Sequence, residues 1–118
     1  MEKEHLINAT CPECRGPLTE ITGDGLIEFR CLVGHRYSPQ ALLTAHSETQ
    51  ERALWAAALA LEEAGVIAEE AGRHLAAATA EELNRQARQK HQQAQTIREV
   101  LEQLEPFHVV ETTAPYDA

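Results

Sequence analysis

The four residues Cys11, Cys14, Cys31 and His35 constrain this chain more than any other feature. They form a Cys-x2-Cys pair, a gap of sixteen residues, and a Cys-x3-His pair, and they include every cysteine present. Two close ligand pairs separated by a hairpin's length of chain have the spacing of a tetrahedral zinc site. Four protein donors fill the tetrahedron and leave no position for water or substrate. The spacing therefore predicts one structural Zn2+, held by Cys11, Cys14, Cys31 and His35, and no catalytic centre.

Three sulfurs and one imidazole favour zinc over iron. An odd number of cysteines suits a reducing cytoplasm better than a disulfide framework. No spare cysteine is available to resolve an oxidised one, which points to structure rather than redox sensing. His46 is the alternative fourth ligand, but it lies eleven residues beyond His35 and lacks a paired turn. His5 has no anchoring signal, and His74, His91 and His108 are scattered as ordinary surface or helix-edge histidines.

Residues 11–37 read as a zinc ribbon. Leu18–Thr22 and Leu26–Arg30 are its strands, joined by the turn Gly23-Asp24-Gly25. Gly34 allows the second ligand turn to curl. Residues 1–10 are polar, and the sequence predicts no element there.

The period then changes. Ser38-Pro39 starts a helix, with Ser38 as N-cap. The pattern Ser47-Glu-Thr-Gln50 offers a second start, so the helix either runs unbroken from Pro39 or bends near Ser47. It is expected to reach about residue 77. A capping box at Thr79-Ala-Glu-Glu82 starts a second helix that stops near Glu105, before Pro106.

Leu54, Ala58, Leu61, Gly65, Ala68, Gly72 and Leu75 recur at alternating spacings of four and three. So do Leu83, Ala87, Lys90, Ala94, Ile97, Leu101 and Leu104. Folding the chain at 78–80 pairs the two series in one antiparallel seam, with Gly65 facing Ala94 and Gly72 facing Ala87. A helix end at Gly65 or Gly72 is the alternative, disfavoured because the apolar period continues past both and no proline follows either. Glu62, Glu63, Glu69 and Glu70 are expected to meet Arg85, Arg88 and Lys90 across the seam. A carboxylate metal site built on Glu70 and His74 is the weaker reading of those acids.

The fold class is thus α+β, mostly α: an N-terminal zinc ribbon over 1–37, an antiparallel helical hairpin over 38–105 with helices near 39–77 and 80–105, and a tail over 106–118. The run Ala53–Leu61 is apolar on every side, Trp55 included. One partner helix covers only one stripe, so a second contact is expected from the zinc ribbon, the tail or a second copy, the last an economical solution as a dimer through the helices.

Nineteen acidic and ten basic side chains give a net charge of −9. That balance opposes nucleic acid as a partner, although Arg15, Arg30 and Arg36 flank the metal ligands. No stretch is apolar enough to span a membrane, and the first ten residues lack a secretory pattern.

The strings CPECRGPLTEI, GDG, LIEFRCLVGHRYSPQALL and ERALWAAALALEE resemble the zinc-binding C-terminal extension of chemotaxis-type protein-glutamate methylesterases. The likeness spans residues 8–105. It implies a bacterial cytoplasmic protein near two-component or chemotaxis-like signalling, as a stand-alone chain without the catalytic domain. It does not imply esterase activity, because no Gly-x-Ser-x-Gly or similar nucleophile pattern exists here. Three functions follow as expectations: a non-catalytic zinc-stabilised protein-interaction module with an unidentified protein partner, a nucleic-acid-binding ribbon, and a small zinc hydrolase. The first is preferred.

Overall fold

The structure is a computed structural model that describes residues 1–108. It has four strands followed by two long helices, as the α+β, mostly α reading expects. The strands are β1 Lys3–Thr10, β2 Pro17–Gly23, β3 Leu26–Cys31 and β4 Arg36–Tyr37, and the helices are α1 Pro39–Gly72 and α2 Ala77–Gln103. From residue 109 onward the predicted tail lies outside the described residues. The chain forms two compact units, residues 1–49 with the segment from 106, and residues 50–105.

In the first unit the strands form an antiparallel meander in the order β1-β2-β3-β4. The central hairpin matches the sequence reading. Leu18 pairs with Cys31 and Gly23 with Leu26, leaving a two-residue loop at Asp24-Gly25. Both loop residues have positive φ, +54° and +76°, the backbone of a type I′ turn whose twist matches the strands it joins.

β1 is a correction. Residues 3–10 form an edge strand that pairs Lys3 with Thr22 and Leu6 with Thr19. Its register shifts between Leu6 and Thr10. Most of its side chains are exposed, and Ile7 alone among its apolar residues packs on the core. The strand is held by ladder hydrogen bonds and not by an apolar face, so it leaves no alternation to read.

The core of this unit is small. Cys11, Leu18, Cys31 and Leu42 are buried, with Ile7, Phe29 and Tyr37 packed against them. Ser38 caps α1 as expected, accepting the Ala41 N–H at 3.1 Å. The helix is continuous through Ser47, whose hydroxyl is not a cap. Ser47 is buried and its oxygen accepts the N–H of Phe107 at 3.0 Å.

In the second unit the predicted seam is the least exposed stripe of each helix. Ala58, Gly65 and Gly72 on α1 and Ala87 and Ala94 on α2 are buried. The turn differs from expectation. α1 ends at Gly72, not near 77, and its last turn closes through N–H groups of Arg73, His74 and Leu75 bonded to carbonyls three residues back. Leu75 is half exposed. α2 begins at Ala77 after Ala76, without a side-chain cap, so the Thr79 capping box is not used.

Across the seam, a Cβ at Gly72 would lie 3.6 Å from Ala80, and one at Gly65 would lie 2.7 Å from the His91 ring. The cross-helix ion pairs also differ from expectation. Glu62 takes both Arg98 guanidinium nitrogens, and Glu69 accepts His91 Nε2–H at 2.5 Å. Arg85 turns back to Glu82 on its own helix.

His91 thus occupies the space that a side chain at 65 would need. Gly65→Ala is expected to stabilise a His91→Ala protein by about 0.5–1 kcal/mol, the usual helix preference for alanine. In the natural background the displaced imidazole should cancel most of that gain. Urea melts of the four proteins measure it, and equal gains in both backgrounds would contradict the packing.

Candidate metal centre

Each ligand pair is set by a tight backbone turn. In the first, the Cys11 carbonyl accepts the Arg15 N–H at 2.8 Å, and the Cys11 N–H donates to the Gly16 carbonyl at 2.7 Å. Arg15 takes a φ of +64° to close this loop. A side chain on Gly16 would sit 3.5 Å from Cys14 Sγ. In the second, the Gly34 N–H reaches the Cys31 carbonyl at 3.2 Å, and the Cys31 N–H bonds to the His35 carbonyl at 3.1 Å. Gly34 has a φ of +107°, a conformation glycine adopts without Cβ strain.

The β2–β3 hairpin then carries the two turns to one end of the sheet. The four donor atoms all lie within 4.8 Å of one another. Cys14 Sγ is 3.6 Å from Cys31 Sγ, and His35 Nδ1 is 3.3 Å from Cys31 Sγ and 3.6 Å from Cys11 Sγ. Donors about 2.3 Å (sulfur) and 2.0–2.1 Å (nitrogen) from a tetrahedral ion stand roughly 3.5–3.8 Å apart. These three separations lie close to those around such an ion, and the cysteines are free thiols.

The electrostatics favour a cation. Burial raises the Cys11 thiol, but the Tyr37 hydroxyl and backbone N–H groups of Cys14 and Glu13 outweigh it and bring it down to about 6. Burial likewise raises Cys31, and the His35 N–H with other donors pulls it below its ordinary value. Cys14 is pulled down by the Gly16 N–H, yet burial and the sulfurs of Cys31 and Cys11 leave it raised. Those same two sulfurs, Cys31 first, raise His35. Negative charge gathers on neighbouring sulfurs until a cation balances it.

The sequence reading missed two supporting residues. The Tyr37 hydroxyl stands between Glu13 Oε2 at 2.5 Å and Cys11 Sγ at 3.4 Å, with one proton to share between the two acceptors. Glu13 Oε2 is also 3.7 Å from His35 Nε2. With Nδ1 facing the sulfurs, Nε2–H faces this carboxylate, an arrangement that fixes ring orientation in metal-bound histidines. A carboxylate next to Cys14 and a phenol two residues after His35 were the available signals.

All four predicted ligands come together, and the alternatives do not join them. His46 Nε2–H donates to the Thr10 carbonyl at 3.0 Å. His5 sits in β1 opposite Glu20. Among the described residues, no other group of three or more His, Cys, Asp or Glu side chains could hold a metal, Glu70 and His74 included. Comparison with family models, with curated proteins and with solved structures finds no match to the chain.

Two outcomes test the centre. Cys14→Ser should abolish stoichiometric metal content and remove amide-exchange protection from residues 3–37, while circular dichroism retains most of the helical signal. Glu13→Ala should weaken affinity for added zinc by about ten-fold, the lower end of the range for such supporting groups because both partners are partly exposed. Competition against a chromogenic chelator measures it, and an unchanged affinity would remove Glu13 from the account.

Proposed function

We propose that this chain is a non-catalytic, zinc-stabilised protein-interaction module, a cytoplasmic adaptor that docks to a protein partner and to itself through its helices. The observation that carries it is the convergence of Cys11, Cys14, Cys31 and His35 on one point, which fills a tetrahedral ion with protein donors. Three thiolates and an imidazole are the donor set of structural zinc. The resemblance to the methylesterase extension supports a place in bacterial two-component or chemotaxis-like signalling.

The competing readings are weaker on specific grounds. Arg30 and Arg36 both bond to Glu28, with Nε–Oε1 distances of 2.7 and 2.6 Å. These arginines hold the Glu28 carboxyl down to about 2. Arg30 also lies 3.8 Å from Glu2, so two carboxylates stand against two of the three cations near the centre, and the chain as a whole carries −9. A phosphate backbone would find little to bind. A hydrolytic zinc needs an open coordination position, and four donors fill it. No helix among the described residues is long and apolar enough to cross a membrane.

The zinc-loaded protein should leave single- and double-stranded nucleic acid unretarded in gels at low salt. A retarded band that disappears as salt is raised would favour the nucleic-acid reading instead.

A further inference from the structure

The outward face of α1 carries a pattern that fits itself. Trp55, Leu59, Val66 and Ile67 are 53, 54, 58 and 67 % exposed. At 100° per residue, Arg52, Trp55, Leu59, Glu63, Val66 and Glu70 form one stripe opposite the seam. α2 offers no equivalent: its exposed positions include Asn84, Gln86, Gln89, Gln92, Gln93 and Gln95. The apolar surplus of this unit therefore lies on one side.

The charges on that stripe select the occupant. Arg52 stands at one end and Glu70 at the other, separated by about 27 Å of helix at 1.5 Å per residue. A parallel pairing of two copies would set Arg52 on Arg52, Glu63 on Glu63 and Glu70 on Glu70. An antiparallel pairing about a two-fold axis at the level of residue 61 sets Arg52 against Glu70 of the second copy, at both ends. It also brings Trp55 to within one residue's rise of Val66 along one edge of the stripe, the small Ala56 to within one residue's rise of Ile67 along the other, and Leu59 against the stem of Glu63. Within the chain both charges already have contacts: Glu70 has Arg73 nearby at 3.6 Å on its own helix, and the exposed Arg52 has a partner of its own; surface contacts of this kind are worth little in water and can be exchanged.

We propose that this stripe is an isologous homodimer interface in which two α1 helices pack antiparallel, locked at each end by Arg52 and Glu70. The inference rests on the self-association included in the interaction-module reading, and names its surface and register. Burial of the four apolar side chains supplies attraction, and the charge pattern supplies orientation.

Sedimentation equilibrium of the full zinc-loaded chain, across a concentration series, tests it. The natural protein should give the mass of two chains. Arg52→Glu and Glu70→Arg should each raise the dimer Kd by at least about ten-fold, because each change places like charges together at both ends. The double variant should restore the Kd to within about three-fold of the natural value. Leu59→Glu, at an exposed position, should abolish the dimer with helical content unchanged.

A monomer at all concentrations, a double variant no better than the singles, or a dimer indifferent to Leu59→Glu would overturn the proposal. Native mass spectrometry of the same samples separates the two failures. A zinc-bearing monomer sinks the interface and leaves the metal reading standing. A metal-free dimer that passes the charge swap sinks the metal reading and supports the interface.

Discussion

The sheet of this protein converges on four donor atoms, those of Cys11, Cys14, Cys31 and His35, that could hold one metal ion. Two of the four buried side chains in its core are Cys11 and Cys31, both pulled toward the thiolate form by hydrogen-bond donors around them. Apolar burial is slight, since Leu18, Ile21 and Leu42 are the buried large aliphatic side chains among the described residues of this unit. A core of this size falls short of the ordering entropy of some forty residues. Sulfurs carrying partial negative charge at 3.6 Å make matters worse without a cation. An ion at their common centre would convert that repulsion into four bonds and tie the two ends of the β2–β3 hairpin together.

Backbone detail follows from this constraint. Arg15 and Gly34 sit at positive φ because each ligand turn must bring its two donors to the same side. The type I′ turn at Asp24-Gly25 sets the register that puts Leu18 opposite Cys31, so the far end of the hairpin controls alignment at the metal end. Glu13 and Tyr37 then steady His35 and Cys11 from outside the donor set. The helical unit solves a different problem: alanine and glycine along its seam let two backbones approach closely, and the ion pairs Glu62–Arg98 and Glu69–His91 border the contact.

Most of the centre was legible in the sequence because ligand chemistry is local: pairs at fixed spacing, with glycine where the chain must curl. The strands of the central hairpin and the seam of the helices were legible for the same reason, through periods of two and of seven residues. β1 was not, since an exposed edge strand has no burial pattern to betray it. The end of α1 at Gly72 was obscured by Leu75, which prolongs the apolar period although it lies in the turn and is half exposed. Ser47 and Thr79 carry capping chemistry that the fold does not use, because the helix runs through the first and starts before the second. The role of His91 was hidden because spacing does not say that a helix-edge imidazole will turn across the contact to cover Gly65.

X-ray absorption at the zinc edge, on protein purified without added metal, tests the central claim most directly. The account predicts one zinc per chain with three sulfurs at about 2.3 Å and one nitrogen at about 2.0–2.1 Å. An ordered sheet without metal, or an ion bearing an oxygen ligand in place of one of these four, would contradict it.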